Sequence, residues 1–420
     1  MQTLQPVVTA DALTRNRFSA TSLGRGAFIL LGVSLPVATF GDVVLTFTIL
    51  VAWLAALRFR DTAEAIRSNP VALFAVVWVF VHAIGALYSV GTPAEVWRGV
   101  TKSAIFLLIP VAVIMVKRDR DVRLAHYAFM SAIGVTMLLS YLRWAGVIPH
   151  DAPLLKDAGY SASVVFKYHL TQNLLLAYGA FLFAVYARSG STRNMRLFFG
   201  ACATLTAVNV VFIGDGRTGQ VALMVLAVYY SGWLAGKKGV AAGIAAVIVI
   251  GLVAYALPGS SLHKRAALAI SDAEQWQPGT RAEPSGVKER LEFYRRALTM
   301  LEHNPWIGVG TGGFAAADRA AASRVGMPPT AHPHNDYLLQ GVELGAFGIL
   351  LLIALYGFIW REAGRLDNPA QRALARGLVL MYASASFGTS MLNDHTETLL
   401  FVWMNALLFA GYHGARVRRA

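Results

Sequence analysis

The sequence predicts an all-α polytopic membrane protein with about 12 transmembrane helices and one large extramembrane loop. Three observations predict it. Of 420 residues, 56% are hydrophobic and 14% charged, with mean hydropathy +0.52; a soluble domain carries about a quarter charged residues. The apolar residues fall in runs of membrane-crossing length. Lysine and arginine gather in alternate gaps between those runs: Arg15 to Arg25, Arg58 to Arg67, Lys117 to Arg123, Arg188 to Arg196, Lys237 and Lys238, Arg361 to Arg376, and Arg416 to Arg419. The intervening turns near Phe40, Val90 and Leu392 carry none. Positive charge stays in the cytoplasm, so the alternation predicts an even number of spans with both termini cytoplasmic.

In order, the runs are roughly 26–40, 42–57, 71–90, 97–116, 124–146, 170–187, 196–213, 217–235, 239–257, 336–360, 373–391 and 398–413. The first two read either as full spans or as a hairpin that crosses in part. Arg15, Arg17 and Arg25 precede a run with no clear cleavage site, which therefore reads as a span rather than a signal peptide. The whole chain, 1–420, reads as a single membrane domain. Between the ninth and tenth runs lies 258–333, the one stretch large enough for a structured extramembrane element. Cys202 is the only cysteine, so no internal disulfide can form. The net charge of +14 is explained by topology, and nucleic-acid binding is not expected.

Within the large loop, Leu291, Tyr294, Leu298 and Leu301 recur at helical spacing, with Phe293, Ala297 and Met300 widening the stripe. Lys288, Arg290, Arg295 and Arg296 take the other positions, and Asn304-Pro305 ends the helix. Such a helix lies on the membrane surface or caps the bundle.

Ionisable groups near spans are costly in a bilayer and point to function. Under this topology Asp42, Arg98, Lys102, Lys167, His169, Asp215, Arg217, Arg290, His332, His334, Asp336, Glu343, Asp394, His395 and Glu397 all fall toward the outer face. His334 precedes Asn335 and Asp336, which read as the N-cap of the tenth span. The partial positive charge of a helix N-terminus, with arginines nearby, holds an imidazole neutral. A neutral imidazole suits a general base. His332 competes for that role, and residue chemistry alone barely separates the two. Asp336, Gln340 and Glu343 make a polar stripe that must face a cavity or partner helices. Arg217, in Gly214-Asp215-Gly216-Arg217-Thr218-Gly219, opens a span beside glycines, as an anion seat does; it could equally reach the headgroups or pair with Asp215. Arg98 and Lys102 could add charge one turn apart.

Other signals are discounted. The 308–313 stretch matches a dinucleotide-binding glycine pattern, yet follows no strand–helix unit. His332 and His334 lack further metal ligands at suitable spacing, and no Asp-x-Asp pair of the kind that holds a divalent ion against a sugar diphosphate is expected at the outer face. A transporter would place paired broken helices and charges at mid-membrane; here the charges gather at outer ends, with Glu343 the main exception.

His334-Asn335, nine residues, Gly345, two residues, Gly348 resembles the signature of bacterial O-antigen ligases, and RLEFYRRALTMLEHNPWIGVGTGGF is similar to the segment preceding it in that family. The resemblance implies a GT-C-like fold in the bacterial inner membrane with a periplasmic active site. It implies transfer of O-antigen polysaccharide from undecaprenyl pyrophosphate to lipid A–core oligosaccharide, inverting and without metal or cofactor. O-antigen polymerase and protein O-oligosaccharyltransferase share looser forms of the signature. By the same resemblance His334, Arg217 and Arg290 are catalytic. Arg98, Lys102, Lys167, His169, Asn335, Asp336 and Asp394 are the expected substrate-binding residues.

Overall fold

The structure, a computed structural model, describes residues 10–116, 118–149, 152, 163–256, 261–279, 286–324 and 326–412, with backbone alone for 10–18, 254 and 261–266. Lys117, Arg416, Arg418 and Arg419 of the charge pattern lie outside the described residues. Sixteen α-helices and no strand are present among the described residues: α1 (Ala10–Val37), α2 (Thr39–Ala56), α3 (Phe59–Ser68), α4 (Pro70–Ala86), α5 (Pro93–Ala104), α6 (Leu108–Met115), α7 (Asp119–Trp144), α8 (His169–Ser189), α9 (Arg193–Val208), α10 (Arg217–Ala256), α11 (Ser261–Gln275), α12 (Lys288–His303), α13 (Phe314–Arg324), α14 (Asp336–Ala363), α15 (Pro369–Ala385) and α16 (His395–Leu408). The chain is therefore an all-α polytopic membrane protein.

Among the described residues eight helical segments are long and apolar enough to cross a membrane, or nine if α3 and α4, bent by 101° at Asn69, count as one. Nine of the twelve apolar runs fall in these eight segments, with 217–235 and 239–257 sharing α10; 71–90 falls on α4, and 373–391 and 398–413 fall on α15 and α16. The two counts differ for physical reasons. Helix α10 breaks at Ala235 and Gly236, where the sequence counts two runs, and α4, α15 and α16 are shorter than a full crossing. Burial decides their place instead. All of α16 from Thr396 to Leu408 is buried, as expected of a helix apolar on every side. Trp403 fixes it to α1 by donating its indole N–H to the Phe28 carbonyl, 2.8 Å away.

The large loop folds onto α14. Helix α14 is interrupted at Gly345, whose φ is +65°, a region favouring glycine. The interruption leaves the Val342 and Glu343 carbonyls without helical partners. They accept instead from the Val309 and Gly310 N–H groups, both at 2.8 Å. Thr311 N–H bonds the Gly85 carbonyl at 3.1 Å, and Val90 N–H bonds the Val309 carbonyl at 3.0 Å. So the glycine-rich stretch is sandwiched between α14 and the end of α4. A Cβ on Gly308 would collide with the backbone of α14, one on Gly310 with the backbone at the end of α4, and one on Gly312 with the backbone of α5. Its amides bond protein carbonyls, which is the structural reason a dinucleotide reading fails here.

Helix α12 packs on α13 and α14, and its buried face differs from the apolar stripe read in the sequence. Its buried residues are Glu292, Arg296, Ala297 and Met300, while Leu298 is exposed. Arg296 can be inside because Asp318 of α13 faces it at 3.2 Å, with both side chains almost fully buried. Ala297 and Met300 pack with Val309, Phe314, Leu339 and Val342 in a second small core. Burial pushes the Asp318 carboxyl above its usual range, despite the Thr330 N–H bonded to it.

Gly345→Ala should place a Cβ against the Trp306 carbonyl and strain φ. The expected loss is roughly 1–3 kcal/mol or more, read as a lowered thermal midpoint in detergent. Gly134→Ala, whose Cβ meets nothing within 4 Å, should leave the midpoint level or slightly raised.

Candidate active site

Four helix N-termini converge at one end of the bundle. His169 is the first residue of α8, Arg217 the first of α10, Arg290 lies in the first turn of α12, and His334 sits two residues before α14. Helix N-termini carry partial positive charge and favour anions. Between them is a cavity of ≈ 500 Å3 lined by His169, Asp215, Arg217, Glu289, Arg290 and His334, with Tyr168 and Phe293 as aromatic walls. The structure thus brings together the three residues expected to be catalytic, which are separated by as many as 117 positions in the chain.

Local packing explains how Arg217 gets there. Asn173 of α8 donates to the Gly216 carbonyl at 2.7 Å, and a Cβ on Gly214, Gly216 or Gly219 would overlap Asn173 or the adjoining α8 backbone. The glycines were expected to serve an anion directly. Their visible role is to let the start of α10 dock against the start of α8, which sets Arg217 beside His169 on the cavity wall.

His334 is held by backbone geometry. Its φ is +55°, uncommon for a residue with a Cβ. The Tyr294 hydroxyl donates to its carbonyl at 3.3 Å and to the Phe387 carbonyl at 2.8 Å. Its ring stacks on Phe293 with centroids 6.0 Å apart. Asn335 caps α14 by accepting from Leu338 N–H at 3.0 Å, as the sequence predicts. Asp336 is clamped: its N–H bonds the Ser386 carbonyl at 2.9 Å, and its carboxylate accepts from the Ser386 hydroxyl at 2.7 Å and from Leu392 N–H. Asn335 Nδ2 bonds the Phe387 carbonyl. Both residues therefore position His334.

The geometry also separates the two histidines. His332 Nδ1 accepts the His334 backbone N–H at 3.4 Å, and the rings lie edge to face at 4.4 Å. His334 lines the cavity with the arginines, whereas His332 supports it from behind. Burial is the main cause lowering the His334 imidazole to about 4, followed by His332 and Arg290. His332 is lowered to about 4 by burial and then by Lys102. Both are neutral at pH 7, so His334 is in the state a general base requires.

The remaining expected residues fall in four places. His169 shares the cavity. Arg98 and Lys102 line a neighbouring cavity of ≈ 110 Å3 with His82, Gln340, Glu343 and Asn393, and Lys102 donates to Asn393 at 3.0 Å. Asp394 lies between the two, its carboxyl raised by burial and opposed by Lys102 and then His334. Lys167 is apart from both cavities, buried in an ion pair with Asp42 at 3.0 Å and bonded to Thr39 and Thr396. Glu343, the exception in the charge pattern, accepts from the Gly312 and Phe314 backbones and so caps α13. Sequence reasoning missed Phe293, Glu289 and Tyr168 as lining, and put Tyr294 on an apolar stripe. Their helical spacing gave no sign that Phe293 and Tyr294 meet His334. No group of three or more His, Cys, Asp or Glu side chains arranged for a metal is present among the described residues.

The two histidines make stability pH-dependent. With folded values near 4 and an ordinary value of 6.5, the unfolded chain binds protons first as pH falls. Stability should be level above about pH 6.5 and decline toward pH 4. Thermal midpoints at pH 7.5 and 5 check this, and the decline should be shallower in His332→Gln/His334→Gln.

Residues 201–353 match the family model described as O-antigen ligase. No curated protein matches the chain.

Proposed function

Because the chain belongs, through residues 201–353, to the O-antigen ligase superfamily, we propose that it transfers O-antigen polysaccharide from undecaprenyl pyrophosphate to a sugar hydroxyl of lipid A–core oligosaccharide. The coarser statement, ligase- or polymerase-type chemistry in polysaccharide biosynthesis, follows from the family. In our reading the chain lies in the bacterial inner membrane with twelve spans of GT-C-like arrangement and both termini cytoplasmic. Residues 258–333 are its periplasmic loop, and the cavity opens to the periplasm.

The observation that carries the proposal is the meeting of Arg217, Arg290 and His334 on one cavity. The donor's anomeric carbon carries a pyrophosphate whose negative charge grows as the bond breaks. Two guanidinium forks and converging helix N-termini stabilise that charge without a metal. His334 removes the proton of the acceptor hydroxyl as its oxygen attacks from the opposite face. The new C–O bond forms, the anomeric C–O bond to phosphate breaks, and undecaprenyl pyrophosphate departs with the electron pair. The anomeric centre inverts. His169, Asp215 and Glu289 line the same cavity and supply hydrogen-bonding partners for sugar hydroxyls. Arg98 and Lys102 line the neighbouring recess, where a second sugar could lie.

Lipopolysaccharide profiles of a ligase-null strain producing this chain test the proposal. The wild type should restore long-chain ladders, and stably produced His334→Ala should abolish them. Failure with the chain's native core acceptor would move the assignment to O-antigen polymerase, which shares the chemistry but uses a lipid-linked acceptor. In membranes, Arg217→Lys and Arg290→Lys should each lower the transfer rate by about 10²-fold, since the charge stays and the fork is lost. Transfer should be undiminished by EDTA; loss on chelation would refute the metal-free mechanism.

A further inference from the structure

A second polar cavity lies away from this site, at the opposite end of the bundle. The starts of α7, α9 and α15 and the ends of α8 and the first half of α10 meet around a cavity of ≈ 690 Å3. Arg123, Arg188 and Asp119 are its charged lining residues, so the lining carries net positive charge. Neither arginine makes an ion pair with a described residue. Tyr127, Tyr186 and Trp233 form aromatic walls. At the base His126, 2% exposed, bonds the Tyr186 hydroxyl through Nδ1 at 2.9 Å. Its Nε2 is buried with no hydrogen-bond partner among the described residues. An orphaned buried ring nitrogen is costly, and here it belongs to the wall of a positively charged cavity.

Trp233 also lines a second cavity, of ≈ 750 Å3, bounded by the two halves of α10 together with α14 and α15. Apart from Arg376, its walls are apolar or aromatic: Val225, Val228, Tyr229, Val240 and Leu380 among them. A cationic recess and an apolar groove thus share one tryptophan.

We propose that this pair of cavities binds a phosphate-headed membrane lipid. Arg123 and Arg188 hold the phosphodiester, His126 Nε2 meets a headgroup hydroxyl or phosphate oxygen, and the acyl chains lie along α10 in the apolar groove. Arginine forks match phosphate geometry, and basic pockets between transmembrane helices are suited to anionic lipid headgroups. A free phosphate would satisfy the arginines and leave the groove unused; the two-part shape favours the lipid. This site is independent of the transfer reaction proposed above.

Purified full-length protein in detergent can be titrated with phosphatidylglycerol, phosphatidylcholine and inorganic phosphate, with bound lipid counted by native mass spectrometry. One phosphatidylglycerol per chain is expected, at least tenfold tighter than phosphatidylcholine. Arg123→Ala/Arg188→Ala should weaken phosphatidylglycerol at least tenfold while the thermal midpoint without lipid is unchanged. Arg120→Ala, an exposed arginine outside the cavity at the same end, should bind as wild type. Wild-type affinity in the double variant, or equal weakening by Arg120→Ala, would overturn the site. Inorganic phosphate binding as tightly as phosphatidylglycerol would overturn the lipid assignment.

Discussion

Helix α14 leaves two of its own carbonyls unpaired at Gly345, and Val309 and Gly310 take them up. That contact is made backbone to backbone, so it tolerates almost no side chain on either partner. It fixes the glycine-rich stretch against α14 and α4, and with it the exit of α12 and the entry of α13. The first half of α14 then carries His334 at one end and Leu339 and Val342 in the small core beneath α12. Arg290 is consequently aimed at the same space as His334. The signature glycines act at a distance from the chemistry, by allowing two stretches of main chain to touch.

Much of this was legible in the sequence. Apolar runs marked each of the eight membrane-length segments, because lipid enforces that pattern. Arg217, Arg290 and His334 were also visible, since each is an ionisable group beside a helix start. What the sequence concealed was direction. Helix α12 carries an apolar stripe and a basic stripe, and periodicity assigns burial to the first. The protein buries part of the second, because Asp318 arrives from α13 to neutralise Arg296. A partner from elsewhere in the chain is invisible to a single helix's pattern.

The same limit applied to the ranking of His332 and His334. Both are histidines in a short turn before a capped helix, and both are held neutral by burial. Only the three-dimensional turn shows that one imidazole accepts the other's backbone N–H, leaving the second to face the arginines. Lys167 is a comparable case. Its position at a span end marked it as a contact for substrate, yet Asp42 and two threonines enclose it.

Asp336 joins the His334 turn to Ser386 and Leu392, which lie between α15 and α16. The chain is synthesised from its N-terminus, so Arg217 enters the membrane long before those residues exist. Arg290 and His334 follow, but the clamp on the His334 turn waits for α15 and the segment beyond it. The cavity is therefore assembled last, after nearly all of the bundle has been inserted. The turn that carries His334 is completed only with the segment that leads into the central helix α16.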